Sequence, residues 1–178
     1  MEPEVEITDN ATIQRLNMKK KIINLLTENA RMGIAEIGAR LGMPESKIIK
    51  IIKELEDTKV IKGYKAIVDD DVMFGASVVR ALIEVKVTPV REGGFDRVAK
   101  RIARFPEVTD LYLVSGGYDL RVEVKGRSLN EIASFVSSKL STLEGIISTS
   151  TTFVLKKYKE SGRIMDNEEE YERLKITP

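Results

Sequence analysis

The chain has 178 residues, 42% of them hydrophobic, with 29 basic and 28 acidic side chains and a formal net charge of +1 at pH 7, enough for one ordinary domain or two small ones with a real core. It contains no Cys and no His, which excludes disulfides, thiolate or imidazole metal ligands, Cys nucleophiles and His bases, and with them most of the commoner catalytic constellations. No apolar run approaches the roughly 20 residues that cross a bilayer, and the acidic start MEPEVEITDN lacks an apolar core, so a cytoplasmic protein without metal or cofactor is expected.

Charge is unevenly placed along the chain. Residues 19–69 carry 11 basic against 7 acidic side chains, residues 1–18 carry 1 against 4, and residues 159–178 carry 4 against 6. Residues 70–158 carry 13 against 11, so positive charge is concentrated in residues 19–69, net +4, as phosphate binding would want.

Residues 1–17 show scattered Ile and Leu without a sustained period and are expected as an N-terminal extension, a loose tail or at most a short helix. A first helix is expected from Asn17 or Met18, burying Ile22, Leu25 and Leu26. Lys19, Lys20 and Lys21 ride on its first turn, as a solvated face or as a functional triplet. A second helix presents Ile34, Ile37 and Leu41 and is ended by Gly42. Pro44 then suits a first helical position, and Ile48, Ile51, Ile52 and Leu55 recur at the i, i+3, i+4, i+7 spacing of one helix face. Lys47, Lys50 and Lys53 recur every three residues on another side. Two helices across so short a turn read as a helix-turn-helix, whose second helix enters the DNA major groove. Residues 18–60 are thus expected as a winged-helix-like DNA-binding domain.

A strand-like run from Ile61 to Val68 and the break at Asp69, Asp70 and Asp71 make residues 61–76 a connector. From Ser77 to Val87 the apolar residues Val79, Ala81, Ile83, Val85 and Val87 alternate with polar ones, the period of a half-buried strand. Gly93 to Phe105 turns helical through Phe95, Val98, Ala99 and Ile102, and Pro106 stops it. Val108 to Ser115 is a strand, GGYD a tight connection, and Leu120, Val122 and Val124 mark a third strand. Ser128 can cap a helix burying Leu129, Ile132, Ala133, Val136 and Leu140, and STSTTFVLKKY closes residues 77–158 as a βαββαβ domain. One sheet face is left open, so a homodimer through this domain is expected. Arg80, Arg121 and Lys125 read as sheet-surface charges, and residues 159–178 as a polar tail. The whole is an α+β chain: a helix-turn-helix domain joined to a ferredoxin-like βαββαβ domain.

Four segments in this order, ENARMGIAEIGARLGMP, LEDTKVIKGY, VSGGYDL and STSTTFVL, make the chain resemble the Lrp/AsnC family of transcriptional regulators over roughly residues 19–158. The resemblance implies a dimer, often assembled into tetramers or octamers, that binds a palindromic operator in double-stranded DNA and answers to a small effector, usually an amino acid. Carried over residue by residue, the base-reading positions fall at Glu45, Ser46, Lys47, Ile49 and Lys50; the stripe of Lys47, Lys50 and Lys53 reads as phosphate or base contacts or as an ordinary solvated helix face. Glu45 suits the helix dipole but repels phosphate, and is expected in solvent. The effector positions fall at Gly116, Gly117, Tyr118 and Asp119 of the turn and at Thr149 and Thr151 of the last strand.

Plainer roles stand beside these. Ile49 is extra core or a contact to a thymine methyl; Asp119 holds a turn or pairs with an α-ammonium; Thr149 and Thr151 favour strands in any case. Pro44 replaces the family's usual Ser or Thr cap, and Lys50 followed by Ile51 replaces its consecutive arginines, which implies weaker guanine readout. Some tetrapyrrole decarboxylases resemble the family in both domains, but they lean on His, so an enzyme is not expected. An architectural or orphan DNA-binding protein without an effector is the other alternative.

Overall fold

The computed structural model describes residues 10–75, 78–88 and 94–165. The chain divides into two compact units between Ala66 and Ile67, each with its own core. Among the described residues no helix is long and apolar enough to cross a membrane.

The first unit contains α1 (Asn10–Glu28), α2 (Ile34–Leu41) and α3 (Glu45–Asp57). Ile22, Met32, Ile37, Ile48, Ile51 and Leu55 form its core, with Leu25, Leu26, Ile34, Leu41, Ile52 and Ile61 packed around them. The turn between α2 and α3 depends on two glycines. Gly42 closes α2 in the left-handed region, φ 63°, its N–H donating to the Gly38 carbonyl. Gly38 lies so near the turn that a Cβ there would sit 2.7 Å from the Met43 carbonyl oxygen. Pro44 is the residue before α3, at φ −67° and ψ 142°, and not its first helical residue as the sequence suggested; its carbonyl accepts from the Lys47 and Ile48 N–H groups.

α1 begins at Asn10, ahead of the expected start at Asn17 or Met18. The added turns are not held by apolar burial, since Ile13 and Leu16 are 43% and 38% exposed. They are tied instead by Arg15, which donates to Glu54 of α3 at 2.9 Å, beside Lys19 at 2.7 Å. Such a helix leaves no hydrophobic period to read. The run from Ile61 to Val68, expected as strand-like, is no strand: among the described residues no segment pairs with it along a ladder, and Ile61 donates its N–H back to the Leu55 carbonyl of α3 at 3.0 Å.

The second unit opens with a short helix, α4 (Asp70–Phe74), where the sequence offered only a break. It continues as β1 (Val79–Val87), α5 (Asp96–Ile102), β2 (Val108–Leu113), β3 (Leu120–Gly126), α6 (Leu129–Phe135) and β4 (Ile146–Phe153). This is the expected βαββαβ order, and the antiparallel sheet runs β2-β3-β1-β4. Ala81, Ile83, Val85, Val87, Leu120, Val122 and Val124 of one sheet face bury against Val98, Ile102, Ile132, Phe135 and Leu140. Ser128 caps α6 by accepting from the Glu131 N–H. A π-helical turn, Val136–Leu140, follows, so that Phe135 and Leu140, five residues apart, both reach the core. Phe135, unforeseen, meets Phe105 edge to face at 5.5 Å, whereas Leu129, expected inside, is 55% exposed.

The other sheet face is polar. Arg80, Glu84 and Lys86 of β1 stand beside Arg121, Glu123 and Lys125 of β3 and Ser148, Ser150 and Thr152 of β4, with Leu82 as an apolar exception. Arg80 and Lys125, expected as plain surface charges, hold Asp70 of α4 instead. Lys125 donates to it at 2.9 Å, Arg80 forms an ion pair with it, and Lys157 lies 3.8 Å away, leaving Asp70 only 7% exposed. Past Tyr158, where a polar tail was expected, β5 (Lys159–Glu160) and β6 (Arg163–Ile164) make a hairpin through Ser161 and Gly162, both at positive φ. The expected extensions at residues 1–9 and 166–178 lie outside the described residues.

Candidate nucleic-acid interface and effector site

The outward side of α3 follows from the burial of its inward side. With Ile48, Ile51 and Leu55 inside, helical geometry at 100° per residue puts Ser46, Lys50 and Lys53 within about 60° of one another on the opposite side. Ile49 borders this face on one flank and Lys47 on the other, so the three lysines fan round the helix over about 120° and do not form a narrow stripe. Ile49 is 51% exposed, which removes the reading of it as core. Glu45 is exposed at the helix start, where its charge suits the dipole.

Of the acids farther along the helix, Glu54 and Glu56 are engaged at its sides, whereas Asp57 stays exposed at its end on the side of Lys50 and Lys53. Glu54 accepts from Lys19 and Arg15, and those hydrogen bonds hold its carboxyl below the ordinary glutamate range against the small opposing effect of desolvation. Glu56 accepts from the Tyr64 hydroxyl at 2.9 Å; burial and that hydrogen bond push the Tyr64 hydroxyl up. Lys47, Lys50 and Lys53 form no ion pair among the described residues. Two acids are thus neutralised or engaged at the flanks while three cations stay available, the arrangement a polyanion selects. Sequence reasoning had the lysines and missed the bracing of Glu54, which depends on a pair 35 and 39 residues apart.

In the second unit, Gly116, Gly117, Tyr118 and Asp119 share the turn from β2 to β3. The Asp119 N–H donates to the Val85 carbonyl at 3.1 Å, its carbonyl accepts from Val114 N–H at 2.9 Å, and its Oδ2 accepts from Val87 N–H at 2.8 Å. The carboxylate thus closes the end of β1 and is fixed in orientation. Lys86 Nζ lies 3.5 Å from Oδ1 and donates to the Gly117 carbonyl at 3.2 Å. Lys86 was not foreseen; the signal was its place at the end of the β1 alternation, which only the strand register sets opposite Asp119.

Thr149 and Thr151 are not brought to this carboxylate. Their cross-strand partners are Val85 and Ile83, so their side chains share the helix-covered face, whereas Ser148 is the residue opposite Lys86. Thr149 and Thr151 do share one face and are half-buried on it. Among the described residues no group of three acidic side chains is placed to hold a metal.

A helix-turn-helix head with unpaired lysines on its outer helix, joined to a separate βαββαβ domain, defines a DNA-binding regulator of two domains. Residues 15–62 match the model of the winged helix-turn-helix DNA-binding family, and residues 80–164 match that of the Lrp/AsnC ligand binding domain, which takes in the β5–β6 hairpin. The chain belongs to the Lrp/AsnC family of transcriptional regulators. It is 44% identical over 158 residues to the uncharacterized HTH-type transcriptional regulator YugG of Bacillus subtilis, covering 89% of this chain and 95% of that protein. It is 30% identical over 148 residues to the HTH-type transcriptional regulator FL11 of Pyrococcus furiosus, covering 83% and 94%. Among solved structures, the transcriptional regulator NMB0573 of Neisseria meningitidis, in complex with L-Met, shares the fold with a TM-score of 0.64 at 24% identity, over 80% of this chain and 91% of that one.

Proposed function

We infer that this regulator binds a palindromic operator as a homodimer, assembled further into tetramers or octamers, and that its state is set by a free amino acid bound at the second domain. Ser46, Lys47, Ile49, Lys50 and Lys53 meet the DNA, with the lysines on phosphates and base edges and Ile49 on an apolar base edge. Two such helices in a dimer would enter successive major grooves about 34 Å apart. The observation that carries this reading is the set of unpaired lysines on α3, left available because Arg15 and Lys19 engage Glu54. Residues 18–60 are assigned as the reading head, 61–76 as the connector and 77–158 as the effector and assembly domain.

For the effector, Gly116, Gly117, Tyr118 and Asp119 are assigned as the binding turn. Thr149 and Thr151 lie on the other sheet face and contribute through the helix side of the same domain. The L-Met held by a protein of this fold supports an amino acid as the ligand class. An effector regulates only if its affinity differs between two states, typically by about 1 to 3 kcal/mol. The protein acts by binding and not by catalysis, in the cytoplasm where the chromosome lies.

The test is selection of duplexes from a random pool, followed by footprinting. The expected result is a two-fold symmetric site with half-sites about one helical turn apart, whose occupancy shifts with at least one amino acid. Selection that returns no common sequence would favour the architectural reading.

A further inference from the structure

The turn that closes β2 onto β3 receives a cation from β1, Lys86. Asp119 Oδ2 is committed to the Val87 N–H at 2.8 Å, which leaves Oδ1 as the end of the carboxylate that can change partners. Lys86 Nζ stands 3.5 Å from Oδ1, well beyond the roughly 2.7–2.9 Å of a strong N–H to carboxylate bond. Its other contact, to the Gly117 carbonyl, is 3.2 Å long. An ammonium has three N–H donors, so one remains unused even when both contacts are made. The lysine side chain is 40% exposed and the aspartate 17%, so the positive end of the pair faces solvent more than the negative end does. The next charges along the same two strands, Glu84 and Arg121, stand opposite each other and balance.

We propose that Lys86 is the carboxylate-binding residue of the effector site, and that the loose Lys86–Asp119 pair is matched charge for charge by the zwitterion of a free amino acid. The assignment rests on the reading that this turn takes the effector. A zwitterion laid antiparallel along the pair brings its carboxylate to Nζ and its ammonium to Oδ1, and the weak internal contact is exchanged for two external ones. The pair has no net charge, so it prefers a zwitterion to an ester or amide, which is a lone cation, and to a 2-oxo acid, which is a lone anion. A pair that merely braced two strands would affect stability and leave ligand choice untouched.

The experiment is thermal shift and calorimetry on the full chain with the twenty amino acids, their α-carboxamides and their 2-oxo acids. For the wild type, the amino acid that binds is expected to bind about 10- to 100-fold more tightly than its carboxamide or its oxo acid, the range for one charge-assisted contact. Lys86→Met is expected to bind acid and carboxamide alike, Lys86→Arg to keep the preference for the acid, and Asp119→Asn to lose the preference over the oxo acid. A Lys86→Met protein that still prefers the acid overturns the assignment while the effector reading stands. No shift from any amino acid with the wild type overturns the effector reading, and this assignment with it.

Discussion

Asp70→Asn isolates the cluster that fastens α4 to the sheet. The carboxylate is only 7% exposed and receives Lys125 at 2.9 Å and Arg80, with Lys157 at 3.8 Å. Hydrogen bonds to a charged group contribute about 1.5–3 kcal/mol each, and breaking a fully buried ion pair costs about 3–5 kcal/mol. The cations here are not fully buried, with side chains 25%, 36% and 19% exposed for Arg80, Lys125 and Lys157. Water returns to them in the variant, and Lys157 keeps Glu160 as a partner. The expected loss is therefore about 2–3 kcal/mol, a fall of about 5–10 °C in melting temperature for a chain of this size.

The pH dependence gives a second reading of the same cluster. Burial raises the carboxyl pKa, but the hydrogen bonds and positive charges of Lys125 and Arg80 outweigh it, so the folded group titrates below the ordinary aspartate value of 3.8. A depressed folded pKa means stabilisation that is complete above the unfolded value and is lost as pH falls through the folded one. Thermal melts of wild type and Asp70→Asn should therefore differ by a constant amount from pH 7 to about 5 and converge below about 4. Equal melting temperatures at pH 7, or a difference that grows on acidification, would show that the ionised Asp70 does not fasten α4 to the sheet.

Gly38→Ala places a Cβ 2.7 Å from the Met43 backbone oxygen, which cannot rotate away as a side chain would. The expected loss is about 1–3 kcal/mol by urea unfolding, accompanied by weaker DNA binding as α3 shifts against α2. Ile49, 51% exposed beside the outward face of α3, is predicted to pack on a thymine methyl, so replacing the contacted thymine by uracil should weaken wild-type binding about fourfold. Ile49→Ala should bind the two duplexes alike; continued discrimination would assign the methyl contact to another residue.

Much of the second unit was legible because strand alternation is a local signal. Ala81, Ile83, Val85 and Val87 of β1 and Leu120, Val122 and Val124 of β3 are buried as their period named, with Val79 half-buried, and Ser128 capped the helix it preceded. Segments held by charge were not legible. The turns of α1 ahead of Asn17 carry Arg15, which reaches Glu54, and α4 carries Asp70, which reaches two strands and a loop; neither segment shows a hydrophobic period. Phe135 was missed because the π-helical turn after it breaks the 3.6-residue phase.

The turn proposed to take the effector divides in the same way. Gly116 to Asp119 could be found as a local motif, but Lys86 meets it from 31 and 33 residues away. Thr149 and Thr151 were correctly seen to share a face; which face it is depends on the pairing of Thr149 with Val85 and Thr151 with Ile83, which the sequence does not state.

Sequence-specific reading of duplex DNA by the outward lysines of α3, as proposed, is tested by titrating salt against binding to a selected duplex and to its scrambled counterpart, with wild type and Lys50→Ala. Tighter binding of the selected duplex is expected at every salt concentration. The slope of log K against log salt is expected to become shallower by about 2 when Lys50 is removed, one phosphate contact from each protomer of the dimer. Equal affinity for the two duplexes with one common slope, or a slope unchanged by Lys50→Ala, would contradict that reading.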